Sequence, residues 1–422
     1  MTLKEASEAI RSRRISPVEL THACLSRVER EDKHINSFIT VLHEEALAEA
    51  RKAEEQVASG DWRGPLHGIP ISIKDLINLE GKLTTAGSRV FLDRIAIEDA
   101  DVVCRLKSAG AVIVGKNNLH EFAYGGSGVV SHFGPVRNPR DRARITGGSS
   151  SGSAAAVAAG FCFASIGTDT AGSIRLPAAC CGVVGLKPAF GRLSLEGIVP
   201  LAWSYDHVGP IARTVEDAEI VFKALGGTVS AERRPLRIGI ARKYFFENAD
   251  AAVVTAIENV VEAIAKHVAS VVEITVPVDE DRTVSGAESW QFHEKYVREC
   301  PSLYDPRTLT RIRSGEHYSP EAIEEKRREL ERIRRSVPDL FRNVDVIITP
   351  TSPILPPTFT EIEANPDSLR PKELLMLRNT RVWNVYGVPA ISVPCGEMIG
   401  IQIAGLDEST VLAAAKLVER LQ

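Results

Sequence analysis

The sequence has no strong surplus of charge. Its 51 Lys and Arg stand against 55 Asp and Glu, a net charge of −4 over 422 residues. That balance gives no electrostatic reason to expect nucleic acid or an acidic membrane surface as a partner. A disulfide framework is also missing. The seven cysteines, Cys24, Cys104, Cys162, Cys180, Cys181, Cys300 and Cys395, are odd in number and contain no C-x-x-C pair. A zinc knuckle is thereby disfavoured, and a reducing compartment fits better. No apolar run approaches the roughly 20 residues that span a bilayer. The opening MTLKEASEAIRSRR holds no apolar signal core. These absences together predict a soluble, cytoplasmic chain.

What remains is the composition of an ordinary folded protein, 44% hydrophobic and 25% charged. Ser16-Pro17-Val18-Glu19 reads as a helix start: a capping serine, proline in the first turn and a glutamate to close the box. Leu20, Ala23, Cys24, Arg27 and Val28 follow at helical spacing. Residues 44–59 are rich in Ala and Glu and read as a second helix. Ile69–Ile73 and Ala111–Val114 read as strands flanking a helix over 101–109, and SAAAVAAG at 153–160 as a helix of small residues. Further strands are predicted at 183–186, 236–240, 271–276, 344–348, 390–393 and 400–404. Amphipathic helices are predicted at 250–267, 320–342 and 407–420. This interleaving predicts an α/β fold on a mostly parallel or mixed sheet, built as one large domain over 1–422. The mainly helical segment 285–342 forms a sub-domain or cap.

Residues 147–175 stand apart. Gly-Gly-Ser-Ser-Ser-Gly-Ser at 147–153 and Gly-Thr-Asp-Thr-Ala-Gly-Ser-Ile-Arg at 167–175 combine tight-turn glycines with hydroxyls. Two flexible surface loops are the bland reading. Both, however, abut apolar elements, SAAAVAAG and FCFASIG, which suggests rigid turns over a core. Gly148-Ser149-Ser150-Ser151-Gly152 matches the G-x-S-x-G elbow with Ser150 as nucleophile. An elbow needs a preceding strand, and RNPRDRARIT is polar and charged. Gly110 to Lys116 matches most of a P-loop, but Asn117 replaces Ser/Thr and the intervening AVIV reads as a strand. His120-Glu121-Phe122-Ala123-Tyr124 lacks the second histidine of a zinc-protease helix.

The pieces together are more specific than any one. Gly68-Ile69-Pro70-Ile71-Ser72-Ile73-Lys74-Asp75, the Gly/Ser loop at 147–153, and the run from Gly167 through Arg175 to Pro188 resemble the amidase signature family. The likeness is strongest over 64–215. It extends through 344–351 and 387–396 to nearly the whole chain. The resemblance implies a large mixed β-sheet core covered by helices on both faces. It further implies amide C–N hydrolysis through an acyl-enzyme, with Ser173 as nucleophile, Ser149 as bridging serine after a cis peptide bond, and Lys74 as base. Backbone N–H groups of Thr170, Ala171, Gly172 and Ser173 would form the oxyanion hole. Tyr124, Gly125, Gly126 and Ser127 correspond to a substrate-facing loop. No metal or organic cofactor is implied; the expected partner is a small-molecule amide, with a homo-oligomer possible.

The chemistry is coherent on its own. A serine hydroxyl attacks poorly without a base, and lysine serves only when neutral, a state that burial on an apolar strand favours. The plain alternative for Lys74 is a strand-end lysine paired with Asp75 or left in solvent. Ala171 departs from the family's more usual Gly-Gly-Ser; a backbone position that needs positive φ would strain it. Asp169 and Arg175 are candidates to brace the loop. Trp290, Phe292, His293 and Tyr296 either line a pocket or form a helix's core face. Two further functions stay open. One is the glutaminase component of a tRNA-dependent amidotransferase, whose typical Arg-Tyr-Asp-Gly stretch this chain lacks. The other is a non-catalytic binding protein on the same fold.

Overall fold

The computed structural model describes residues 1–231 and 235–421. Eleven strands make one sheet: β1 (Phe38–Val41), β2 (Pro70–Lys74), β3 (Val112–Asn117), β4 (Ala164–Thr168), β5 (Val184–Lys187), β6 (Val208–Ala212), β7 (Arg237–Ile240), β8 (Ser270–Glu273), β9 (Val346–Pro350), β10 (Ala390–Gly396) and β11 (Ile399–Gly405). Their order is β1-β3-β2-β4-β6-β5-β10-β11-β9-β7-β8. β2 runs parallel to β3 and β4, and β7 runs parallel to β8 and β9; the other pairings are antiparallel. The sheet is therefore mixed, as the alternation of elements predicts.

All residues of β2, β3, β4, β5, β6, β9 and β11 are buried. Successive side chains point to opposite faces, so strands buried throughout are covered on both. The predicted helix start at Ser16 is realised. Ser16 Oγ accepts from the Val18 and Glu19 amides, and the Glu19 carboxylate accepts from the Ser16 amide. The helix over 44–59 is His43–Ser59, and that over 407–420 is Glu408–Arg420, capped by Asp407. The helix expected over 320–342 is broken. Pro320–Arg335 ends at Ser336, and a short turn Val337–Leu340 follows. Pro338 lacks the N–H that would continue the first helix. The strand expected over 271–276 is shorter, Ser270–Glu273, because it lies at the sheet edge and pairs only with β7.

Three features place the site. In β2, Ile71 and Ile73 face one core, and alternation puts Ser72 and Lys74 on the other face. That second face carries the helix Ser151–Ala158, whose small residues let it lie tight on the sheet. A Cβ on Gly152 would stand 2.3 Å from the Ser37 carbonyl and 2.5 Å from that of Asn118, so only glycine fits there. Third, the segment 285–342 is helical as expected, with Thr283–Glu299, Pro306–Arg313 and Pro320–Arg335. Among the described residues, no helix is long and apolar enough to cross a membrane.

Candidate active site

Lys74 ends β2 and is fully buried. Its Nζ donates to Ser149 Oγ at 2.7 Å and to Thr168 Oγ1 at 2.8 Å. It forms no pair with Asp75, whose carboxylate is held by Lys116 at 2.9 Å and by Thr85. The ordinary reading of Lys74 thus fails on both counts, solvent and salt bridge. Burial pulls its pKa from 10.5 down to about 7, and the more distant carboxylates of Asp169 and Asp206 offset part of that shift.

The Gly/Ser loop delivers the second hydroxyl. The Gly148–Ser149 peptide is cis. Next to it, Ser150 is buried, its Oγ donating to the Thr168 carbonyl at 3.1 Å and accepting from the Thr168 amide at 3.3 Å. Among the described residues no strand leads directly into it, so the elbow reading has no structural support. The Ser150 amide donates to the Ser173 carbonyl at 3.2 Å, which ties the two serine loops side by side. Ser173 is 4% exposed and lines a cavity of about 360 Å³. Among the described residues its Oγ has no hydrogen-bond partner.

Asp169 organises the nucleophile loop. Its carboxylate accepts from the Gly172 amide at 2.8 Å, the Ile174 amide at 3.1 Å and Asn384 Nδ2 at 2.8 Å. Arg175 Nε and Nη2 close a bidentate pair at 3.0 and 2.8 Å. Arg175 is itself fully buried and also donates to the Thr380 carbonyl, Gln402 Oε1 and Asn384 Oδ1. Desolvation of Asp169 is outweighed by Arg175, so its carboxyl is held well below the usual carboxylate range. The proposed bracing pair is thus a network reaching from the loop to the helix Leu369–Val385 and to β11.

This arrangement corrects the expected oxyanion hole at one position. The Gly172 N–H is engaged by Asp169 and is not free. The amides of Thr170, Ala171 and Ser173 carry no partner among the described residues. The backbone demand also falls elsewhere than on Ala171: the positive φ, +130°, is at Gly172, and Ala171 adopts none. A Cβ on Gly172 would stand 2.0 Å from Thr380 Oγ1, which donates to the Ala171 carbonyl at 2.7 Å. Gly172→Ala is expected to cost about 2–5 kcal/mol through clash and strained backbone, read from urea unfolding. A loss below about 1 kcal/mol would show that the loop relaxes without cost.

The loop at 124–127 divides. Tyr124 and Gly125 line the cavity. Gly126 packs under Leu377, and buried Ser127 donates to Glu373 Oε1 at 2.7 Å, away from the cavity. The aromatic helix face resolves as core: His293 is buried against Tyr304 Oη at 2.9 Å and packs edge-on to Phe122. His120 lies 3.6 Å from Glu373 and 3.4 Å from Arg311, in an internal polar cluster. Cys180 and Cys181 are buried free thiols, packed as small apolar residues.

Several site residues carried no sequence signal. Thr168 shares Lys74 with Ser149, and Asp206 holds Thr170 Oγ1 at 2.5 Å. Burial raises the Asp206 carboxyl to about 6. Four arginines line the cavity: Arg282, the cap residue before the helix Thr283–Glu299, Arg311 from the helix Pro306–Arg313, and Arg370 and Arg381 from the helix Leu369–Val385. Lone arginines in polar segments look like solvated surface, and only the packing of distant segments brings them to one cavity.

Known proteins resemble this chain in sequence and fold. The profile of the Amidase family matches residues 19–412. A component of the glutamyl-tRNA(Gln) amidotransferase of Koribacter versatilis is 35% identical, with 99% of this chain and 98% of that protein covered. An amidase of Pseudomonas putida is 35% identical over 100% of this chain and 96% of its own. A solved crystal structure of an amidase superposes with a TM-score of 0.91 at 32% identity, covering 100% of this chain and 99% of that one. These matches show that the chain belongs to the Amidase family, hydrolases of amide C–N bonds.

Proposed function

We propose that Ser173 Oγ attacks the carbonyl carbon of a small carboxamide, with Ser149 as proton relay and Lys74 as base. One observation carries this reading: a fully buried lysine whose polar partners among the described residues are two hydroxyls, one of them Ser149. A pKa near 7 leaves much of Lys74 neutral at physiological pH, able to take a proton through Ser149. As the C–O bond forms, the carbonyl becomes an oxyanion that the amides of Thr170, Ala171 and Ser173 can receive. The relay returns the proton to the leaving nitrogen, the C–N bond breaks, and ammonia or an amine departs. Water, deprotonated by the same relay, then attacks the acyl-enzyme, releasing the carboxylic acid and restoring Ser173.

The test is labelling with a small fluorophosphonate, mapped by peptide mass spectrometry. An adduct on Ser173 that disappears in Lys74→Ala is the expected result. An adduct on Ser150, or none on a folded protein, overturns the assignment. The chain is read as a free-standing amidase, since it lacks the Arg-Tyr-Asp-Gly stretch expected of the amidotransferase component. Its likeness to amidotransferase components keeps a role within such a complex as the second reading. Co-purification of a partner from the native host, with amide turnover dependent on it, would favour that role. Seven free thiols fit a reducing, cytoplasmic setting.

A further inference from the structure

The ladder between β4 and β6 runs on past both strands. Asp169 and His207 exchange two backbone bonds, at 2.9 and 3.0 Å, which puts Thr170 directly opposite Asp206. There the backbone pairing stops: among the described residues neither the N–H nor the carbonyl of Thr170 has a partner. Side chains take over. Thr170 Oγ1 donates to Asp206 Oδ1 at 2.5 Å. The other oxygen of that carboxylate accepts from the Leu201 amide at 2.9 Å and the Ala202 amide at 3.0 Å. The turn 201–205 is in turn gripped from its far side. Glu288, on the helix Thr283–Glu299, accepts from the Ser204 amide at 2.9 Å and from Ser204 Oγ at 2.5 Å. Arg334, on the helix Pro320–Arg335, donates to the Ser204 carbonyl at 2.6 Å. Leu201 and Tyr205 of this turn line the cavity beside Thr170 and Ser173. Asp206 thus bridges a fixed wall of the cavity and a residue of the nucleophile loop that has no backbone bond of its own.

We propose that Asp206 is a positioning residue for the reaction at Ser173: through the Thr170 hydroxyl it fixes the Thr170 N–H as an oxyanion donor, and through the Leu201 and Ala202 amides it ties that donor to the cavity wall. This rests on the hydrolase reading above and adds to it a residue outside the triad and the hole. The direction of the donor follows from the ladder. The peptide joining Asp169 to Thr170 is trans, and its carbonyl accepts from the His207 amide on the β6 side. The N–H of Thr170 therefore points the other way, toward the β2 side where Lys74 stands. A donor held in place before the reaction stabilises a developing oxyanion because nothing has to reorganise as the charge forms. Burying a carboxylate is costly, and burial raises that of Asp206 despite its three hydrogen bonds. A role in holding the loop gives the fold a reason to carry that cost.

The probe is the rate at which a small fluorophosphonate labels Ser173. Ser173 Oγ bonds to phosphorus, its proton passes to the relay, fluoride leaves, and the phosphoryl oxygen gathers negative charge on the way. Rates are taken per folded protein at about pH 9, where Lys74 is neutral with or without a charge at position 206. Thr170→Val removes the hydroxyl and Asp206→Ala its acceptor. Each is expected to slow labelling about tenfold or more, since a whole oxyanion donor is worth about 10²–10³-fold. The double variant is expected to be no slower than the slower single one, because both changes break the same link. Asp206→Asn is expected to restore most of the rate lost in Asp206→Ala: its amide can accept from Leu201 and Ala202 and donate to Thr170 Oγ1. Full rates in the single variants, additive losses in the double one, or an Asp206→Asn as slow as Asp206→Ala would overturn the proposal. Thr170→Val reads the link alone if Asp206→Ala does not fold, and an unchanged rate there overturns it equally. Failure of the unaltered protein to label at Ser173 would sink the hydrolase reading and this proposal with it, whereas full-rate variants sink the proposal alone.

Discussion

Lys74→Met is expected to lower kcat/KM at neutral pH by about 10²–10⁴-fold, the usual contribution of a positioned base. In the unaltered protein kcat/KM should rise with pH through about 7, as Lys74 gives up its proton. The variant should lose that inflection, its residual activity climbing only with hydroxide concentration. The lysine also leaves a mark on stability, and the sign is opposite to that of an ordinary ion pair. Its folded pKa lies below its unfolded value of 10.5, so the unfolded chain binds the proton more readily. The penalty is fully present below about 7, fades as pH rises toward 10.5, and is on the order of 5 kcal/mol at most. Lys74→Met removes it, while leaving Ser149 and Thr168 without their donor. The stability difference between variant and unaltered protein should therefore shift in favour of the unaltered protein as pH rises from about 7 toward 10.5. Urea midpoints across that range measure it. A pH-independent difference, or an unchanged kinetic inflection in Lys74→Met, would remove the lysine from the proton path.

Asp169→Asn is expected to cost about 3–5 kcal/mol, because it leaves Arg175 buried with an uncompensated charge. The substitution keeps the shape and removes only the anion and one acceptor. Asp169 fixes the loop through the Gly172 and Ile174 amides, so the orientation of Ser173 depends on it. Stability and fluorophosphonate labelling should fall together. Equilibrium unfolding and labelling rates on the folded fraction check the two halves separately. Asp169 has a depressed folded pKa, so its stabilisation is present above the unfolded carboxylate range and is lost as the folded group takes up its proton at lower pH. The acid limb of the stability profile should accordingly shorten in Asp169→Asn. A variant as stable as the unaltered protein would mean that Asn384, Gln402 and Thr380 suffice to hold Arg175.

Much of the fold was legible because it rests on local rules. The capping box at Ser16, the period-two apolar run at Ile69–Ile73 and the small-residue helix after the Gly/Ser loop need only neighbours in sequence to be read. The boundary errors have equally local causes: Pro338 ends a helix that hydrophobic period alone would continue, and the strand at 270 stops early because it has one partner instead of two. Lys74 was legible as chemistry only through its company, since an isolated strand-end lysine next to Asp75 looks like a salt bridge. The structure hands Asp75 to Lys116, on the neighbouring strand β3, and that exchange is what leaves Lys74 without a counter-ion.

By itself, then, the sequence determined the residue types of the site and the elements that carry them: a lysine on a buried strand, and two serines on glycine-rich turns. The tertiary structure decided three things. It chose which amides stay free, because Asp169 takes that of Gly172. It placed the positive φ on Gly172 instead of Ala171, where Thr380 closes over the loop. It brought four arginines from separate parts of the chain to the lining of one cavity. Each outcome depends on contacts between residues far apart in the chain. Local propensity carries no record of such contacts, because burial and counter-charge exist only once the sheet has brought the segments together.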